Sequence, residues 1–234
     1  MITIRKSSDR GTFRNDWLTS QHSFSFGEYY DPDYMGFSLL RVINDDRVAA
    51  EGGFGTHGHS EMEIITYALA GTLEHKDSTG SGDVIRRGDI QRMSAGTGIK
   101  HSEFNPSHVE DNHFLQIWLT PTLSGVKPGY VQQHFSDEDK DGRLCLVVSS
   151  DGSEGSIMAH SDAAMYASLL NGKQSLDYQL ATDRVGYLHV AKGKLSLNGE
   201  ALDSGDAALI SAGSNLDIAQ ATHAEFLLFD LPAT

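Results

Sequence analysis

Short apolar runs separated by glycine-rich turns dominate the hydrophobic pattern of this chain. Residues 37–43, 63–69 and 114–119 are rich in aromatic and branched side chains, and each run ends at a turn cluster or shortly before a proline. Runs of this kind are typical of β-strands. The 24 glycines, many of them at turn positions, fit the same interpretation. We therefore predict an all-β chain that forms barrels or sandwiches.

Helical periodicity is scarce. The best candidate is the segment 161–170, which has a Ser-Asp start and is followed by Asn-Gly as a stop. Since it offers only about two helical turns, it is equally compatible with a strand, and the sequence leaves this choice open.

The second half of the chain repeats the first. Three segments recur in the same order, with 65–73 matching 187–195, 87–90 matching 204–207, and 93–96 matching 210–213. The segment 121–130 between the halves contains two prolines and two glycines, as expected of a connector. We predict two copies of one β unit, divided into domains 1–125 and 126–234.

Two pairs of side chains carry the candidate chemistry. His57 and His59 are two residues apart in a strand-like segment, as are His101 and Glu103. Residues at this spacing project from the same face of a strand. On adjoining strands, the two pairs would direct three imidazoles and a carboxylate into one volume, which suits a divalent transition metal. The competing interpretation is histidines that are simply satisfied by hydrogen bonds within the fold.

Six further histidines show no comparable pairing and are interpreted as surface or core residues: His22, His75, His113, His134, His160 and His189. In the second half, His223 and Glu225 keep a His-x-Glu spacing, but no further ligands accompany them. We therefore expect no metal in the second unit.

The motifs resemble those of the cupin superfamily, and the wider sequence resembles the pirin family. Gly53, His57, His59 and Glu63 match the first cupin motif, and the second motif contains His101. The segments that match pirins are 24–26, 30–32, 35–37, 41–46, 55–59 and 93–103. The resemblance implies a bicupin, with two double-stranded β-helix (jelly-roll) barrels in one chain and a metal in the N-terminal barrel.

The resemblance also bears on the ligand set. The general cupin pattern would take its carboxylate from Glu63, whereas the pirin arrangement implies His57, His59, His101 and Glu103. With Glu103 as the ligand, Glu63 is expected to orient a ligand imidazole instead. The donor set suits iron, copper, nickel, zinc, cobalt or manganese without choosing among them. We expect one divalent transition metal ion, iron or copper before the others.

Resemblance to bacterial pirins known as quercetin 2,3-dioxygenases implies the activity. We expect cleavage of flavonols by dioxygen, with Glu103 as the base that accepts the proton of the substrate's 3-hydroxyl group. Four aromatic residues either line an apolar mouth or pack in the core: Phe24, Phe26, Phe54 and Trp118. The alternative from the same family is a metal-based redox sensor that regulates a protein partner.

Charge and composition restrict the possible binding partners and the expected cellular compartment. The formal net charge of −14 argues against direct nucleic-acid binding but allows a protein partner. The chain has one cysteine, Cys145, in an apolar segment, which we interpret as a structural thiol. No apolar segment is long enough for a membrane span or a signal peptide, so we expect a cytoplasmic protein.

Overall fold

The computed structural model describes residues 1–233 and is almost entirely β-structure. The strands of the first half are β1 (Ile2–Arg5), β2 (Gly11–Arg14), β3 (Leu18–His22), β4 (Leu40–Val48), β5 (Gly53–His59), β6 (Glu63–Ala70), β7 (Thr72–Asp77), β8 (Gly82–Arg86), β9 (Asp89–Ser94), β10 (Ile99–Phe104), β11 (Asn112–Leu119) and β12 (Gly129–His134). The strands of the second half are β13 (Cys145–Ser149), β14 (Ile157–Met158), β15 (Ala164–Leu170), β16 (Leu176–Gln179), β17 (Arg184–Leu197), β18 (Glu200–Asp203), β19 (Ala207–Ile210) and β20 (Asn215–Pro232).

Helical structure is confined to short pieces. The α-helix α1 (Asp137–Lys140) starts at a capping box formed by Ser136 and Asp139, and single 3₁₀ turns lie at Ser7–Asp9 and Ser153–Gly155. The segment left open between helix and strand forms strand β15. Within residues 1–233, none of these helices is long and apolar enough to cross a membrane.

The N-terminal barrel consists of two facing sheets. One has seven strands in the order β12-β9-β6-β11-β4-β3-β2, and the other has four in the order β5-β10-β7-β8. Side chains alternate along β6: Ile64, Thr66 and Ala68 point into this barrel, whereas Ile65 and Tyr67 belong to a core shared with the second half. The interior of the N-terminal barrel is therefore separate from the interface between the two halves.

The second half forms a nine-stranded sheet that bends around its own apolar core. Its main path is β1-β19-β17-β20-β15-β13-β14, with β16 on β20 and β18 on β17. Against the shared core it places large aromatic side chains, among them Tyr187 and Phe229, which are fully buried. The all-β, two-barrel architecture expected from the sequence is confirmed.

Two strands cross the predicted boundary between the halves. Strand β1 pairs with β19 of the C-terminal sheet, and β12 pairs with β9 of the N-terminal barrel. Counted from the predicted division at residue 125, each domain thus contributes one strand to the other's sheet, and that division stays a prediction.

The internal repeat has a matching backbone. Gly71, at the turn between β6 and β7, has a φ of +68°, and its counterpart Gly193 within β17 has a φ of +69°. Glycine adopts this left-handed conformation without steric cost. A Cβ at Gly71 would press on Asn112, and one at Gly193 would clash with the carbonyl oxygen of His223. The matched backbone position therefore requires glycine in both units.

Candidate metal centre

The four-stranded sheet brings together the side chains of the two histidine pairs. In the pairing of β5 with β10, His57 lies directly opposite His101, and a bulge follows between His101 and Glu103. His57, His59 and His101 each offer a ring nitrogen, and these atoms lie within 4.8 Å of one another. The local reason is the antiparallel register, which places residues of the same face side by side.

The spacing of two of these nitrogens fits a shared cation. The Nε2 atoms of His59 and His101 are 3.0 Å apart. Two nitrogens bound at right angles to one ion, each about 2.1 Å from it, are separated by about 3.0 Å. The Nδ1 atom of His57 lies 2.8 Å from the carbonyl oxygen of Gly55, to which it donates in the tautomer that leaves Nε2 available as a ligand.

Burial and neighbouring imidazoles favour the neutral forms of His59 and His101, the form that metal binding requires. Burial, together with His57, lowers the pKa of His59 to about 4. Burial and the neighbouring His57, His59 and His75 lower the pKa of His101 to about 2. Both rings are therefore unprotonated near neutral pH and have nitrogen lone pairs available for a cation.

Glu103 lies on the other side of His101, in a group with His75 and His101. Its carboxylate accepts hydrogen bonds from Gln116 Nε2 at 2.8 Å and from the hydroxyl of Thr66 at 3.5 Å. Burial raises the pKa of Glu103 to about 7, although these hydrogen bonds oppose the shift. Three of the four predicted ligands therefore form one group, and Glu103 joins them through His101.

His75 is the functional neighbour that the sequence analysis missed. Its Nδ1 atom is 3.4 Å from Nδ1 of His101, and its Nε2 atom is 3.4 Å from a carboxylate oxygen of Asp77. When Nε2 of His101 faces the metal, its Nδ1 carries the proton and donates to His75, which in turn donates to Asp77. Such a chain fixes the tautomer and orientation of a ligand imidazole. A signal existed, because His75 and Asp77 also have i, i+2 spacing.

The expectation for Glu63 is wrong. Its Oε2 atom accepts a hydrogen bond from Ser94 at 2.9 Å, and Arg92 Nε lies 3.8 Å away, so its partners are not imidazoles. A turn at Glu61, whose φ is +49°, separates the strand of the histidines from that of Glu63. The alternation of side chains between the two faces of the histidine strand does not continue across that turn. Glu63 therefore lies on the face of β6 opposite to Thr66.

A cavity of about 790 Å³ opens over the site. His57, His59, Glu103 and Gln116 line one part of it. Three of the four aromatic residues proposed for a mouth also line it, namely Phe26, Phe54 and Trp118. Phe24 instead is 1% exposed and packs against Tyr187 in the shared core. His22, interpreted from the sequence as a surface or core residue, lines the cavity as well.

The second unit offers no comparable centre within residues 1–233. His223 is exposed, whereas Glu225 is buried and accepts a hydrogen bond from Tyr67 at 2.8 Å and one from Arg87 at 3.0 Å. Glu225 therefore bonds to residues of the first unit and belongs to the interface between the two units. Cys145 is half-buried, and burial raises the pKa of its thiol, as expected of a structural residue.

Comparisons with known proteins agree with this geometry. The family model described as Pirin matches residues 3–119, and the one described as Quercetinase C-terminal cupin domain matches residues 146–231. A quercetin 2,3-dioxygenase of Escherichia coli K12 is 46% identical over 233 residues, which cover 99% of each chain.

Solved structures extend the likeness to three dimensions. The crystal structure of YhhW from Escherichia coli matches with a TM-score of 0.96 at 44% identity, covering 100% of this chain and 99% of that one. The crystal structure of the bacterial pirin YhhW in complex with nickel(II) matches with a TM-score of 0.95 at 43% identity, covering 100% of both chains. A metal ion is therefore implied, and the donor set described above fits one. The chain belongs to the pirin family.

Proposed function

We propose that this protein is a metal-dependent dioxygenase that cleaves flavonols such as quercetin, with one divalent transition metal held by His57, His59, His101 and Glu103. The observation that carries the proposal is the group of three imidazole nitrogens within 4.8 Å of one another beside an aromatic-lined cavity. The name of the Escherichia coli relative supports the reaction, and that relative is aligned over nearly its whole length.

The donor set restricts the metal without selecting it. Three neutral imidazoles and a carboxylate accommodate iron, copper, nickel, cobalt, manganese and zinc. Iron or copper stays our prediction, and nickel is supported by its presence in the related bacterial pirin. Four protein ligands leave two positions of a six-coordinate ion for substrate oxygens, as in catalytic rather than closed structural sites.

The residues of the chain divide the chemical tasks among them. The bound metal supplies a Lewis acid that favours the deprotonated 3-hydroxyl group of the flavonol. Glu103 is the base for that proton when it loosens from the metal, because burial raises the pKa of its free carboxyl to about 7 and lets it exchange a proton near neutral pH. Gln116 donates to one carboxylate oxygen and the hydroxyl of Thr66 donates to the other, so both contacts position the Glu103 carboxylate for this role.

The aromatic residues hold the flat substrate. Phe26 and Trp118 meet edge to face with ring centroids 5.4 Å apart, and Trp118 lies 5.0 Å from the ring of His59. This wall would place a planar ligand beside the imidazoles and exclude water from its reacting ring. With dioxygen as the second substrate, ring cleavage yields a depside and carbon monoxide.

The names of the relatives favour this oxygenase over the redox-sensing alternative. We retain domains 1–125 and 126–234 as the proposed division, with the C-terminal domain free of metal, and the cytoplasm as the proposed compartment. A regulatory protein partner stays a prediction.

The test is aerobic incubation of the protein with quercetin after loading with iron, copper, nickel, cobalt or manganese. Loss of the flavonol absorbance band with release of carbon monoxide is expected for at least one metal. His101→Ala should abolish turnover, whereas His160→Ala, at a histidine outside the cavity, should retain it. Absence of turnover with every metal would refute the proposal.

A further inference from the structure

A row of polar side chains crosses the inner face of the seven-stranded sheet, where an apolar interior is the ordinary outcome. The register places His22 opposite Asn44, Asn44 opposite Gln116, and Gln116 opposite Thr66. Gln91 continues the row on β9. Gln116 and Thr66 contact Glu103, so this part of the row serves the metal centre. The His22 and Asn44 end extends away from it along the cavity wall.

Asp46 begins a second polar patch next to this end. It lies opposite Ser20 in the pairing of β3 with β4, and both residues line the cavity. Asp46 is 2% exposed, and its Oδ1 atom has no hydrogen-bond partner within residues 1–233. A buried carboxylate oxygen without a donor carries a desolvation cost. A ligand that brings a donor into the cavity would remove this cost.

The sheet register fixes how far this patch lies from the metal centre. Asp46 is opposite Phe114 on β11, and Gln116 is two residues farther along that strand. Diagonal neighbours of this kind in an antiparallel pair are about 7–8 Å apart. Since Gln116 contacts Glu103, a ligand anchored at the metal would need a donor roughly one aromatic ring beyond its chelating oxygens to reach Asp46.

We propose that Asp46, with Ser20 and Asn44 beside it on the cavity wall, forms a subsite in which its carboxylate accepts a hydrogen bond from a phenolic hydroxyl group of the substrate. This inference rests on the proposed function and specifies its substrate class: flavonols with at least one hydroxyl on the ring attached at C2. A carboxylate acceptor selects for such donors. It selects against aromatic ligands that carry a carboxylate or sulfate at the same place, because like charges repel.

The experiment compares three flavonols that share the chelating 3-hydroxyl and 4-carbonyl but carry two, one or no hydroxyls on the ring attached at C2. The measured quantity is the ratio of kcat/KM for each hydroxylated flavonol to that of the unsubstituted one. At pH 8, above the pKa of about 7 to which burial raises the Asp46 carboxyl, Asp46→Leu should lower this ratio by about tenfold or more, as expected for loss of a hydrogen bond to a charged acceptor. Asp46→Asn keeps a neutral acceptor and should lower it by a smaller factor.

A matched control is Asp177→Leu, on the exposed side of β16 in the C-terminal sheet, which should leave the ratio unchanged. Circular dichroism and metal content establish that each variant is folded and loaded. If Asp46→Leu does not fold, Asp46→Asn alone decides the question. A ratio that stays within twofold of the unchanged protein in every folded Asp46 variant overturns the inference.

Dissociation constants measured without oxygen, from quenching of protein fluorescence by each flavonol, separate this inference from the proposed function. If the flavonols bind but are not cleaved, the proposed reaction fails and the same ratio of affinities still tests Asp46. If they are cleaved with a preference that Asp46 does not affect, the subsite alone is refuted. If none binds, both conclusions are wrong.

Discussion

Glu103→Gln should stabilise the metal-free protein at alkaline pH while weakening its metal binding. The Glu103 carboxyl is 1% exposed, and burial raises its pKa from 4.5 to about 7. Between these two pH values, the folded chain keeps a proton that the unfolded chain has released, so stability is lost as the pH rises. The difference between a pKa of 4.5 and one of about 7 corresponds to roughly 3 kcal/mol.

The amide of the variant stays neutral and avoids this loss. Its oxygen can accept from Gln116, and its NH₂ group can donate to the hydroxyl oxygen of Thr66, so the two hydrogen bonds of the carboxyl have replacements. The gain in the free energy of unfolding should be close to zero below pH 5 and approach about 3 kcal/mol at pH 8. Urea unfolding of chelator-treated protein across this range measures it.

Metal binding should change in the opposite direction, because an amide is a poorer ligand than a carboxylate. Calorimetric titration with nickel(II) should show a loss of affinity. This loss should exceed the ~10–100-fold that follows removal of a hydrogen-bond partner of a ligand. Glu138→Gln, an exposed position on α1, is the control for both measurements and should alter neither. A variant whose stability follows the pH profile of the unchanged protein, or whose nickel affinity is unaltered, would refute the reasoning.

Three further substitutions test other parts of the structure. His59→Ala should lose about one equivalent of metal by elemental analysis, and equal loss in His160→Ala would contradict a specific site. His75→Phe should weaken nickel(II) binding by ~10–100-fold in calorimetry, and an unchanged dissociation constant would mean that the 3.4 Å contact with His101 does not orient the ligand. Tyr67→Phe removes a hydrogen bond from the buried carboxylate of Glu225 and should cost about 1–3 kcal/mol in urea unfolding, whereas a neutral result would place that bond outside the stabilising contacts.

The candidate ligands could be predicted from the sequence because the alternation of side chains between the two faces of a strand is a local property. His57 and His59 share a strand, as do His101 and Glu103, so each pair reveals a common face without knowledge of the fold. That the two strands adjoin followed from the resemblance to a known family. The alternation of residues within a strand could not show it.

The parts that were missed depend on register and on turns. His75 contacts His101 because β7 pairs with β10, and no local pattern marks which strands will be neighbours. Glu63 was expected to orient a ligand imidazole from its place in the cupin motif, but after the turn at Glu61 its carboxylate accepts from Ser94 instead. The polar row of Asn44 and Gln116 is likewise visible only once the strands are aligned.

The two units of the repeat differ in the polarity of their interiors. Three matched interior positions are polar in the first unit and apolar in the second: Thr66, His75 and Gln91 against Leu188, Leu197 and Ala208. Buried polar groups cost free energy unless they are fully paired, and both amide atoms of Gln91 lack a partner within residues 1–233. Burial of the aliphatic side chains is favourable by roughly 25 cal/mol per Å².

The first unit also depends on the second for its outer face. The fully buried Tyr67 and Ile65 belong to the same core as Tyr187 and Phe229, so separation of the units would expose them to water. The apolar side chains inside the barrel form two smaller clusters, so the shared core is the larger apolar contribution to its stability. The C-terminal unit, without a metal group of its own in the described chain, therefore stabilises the metal-binding barrel through their common core.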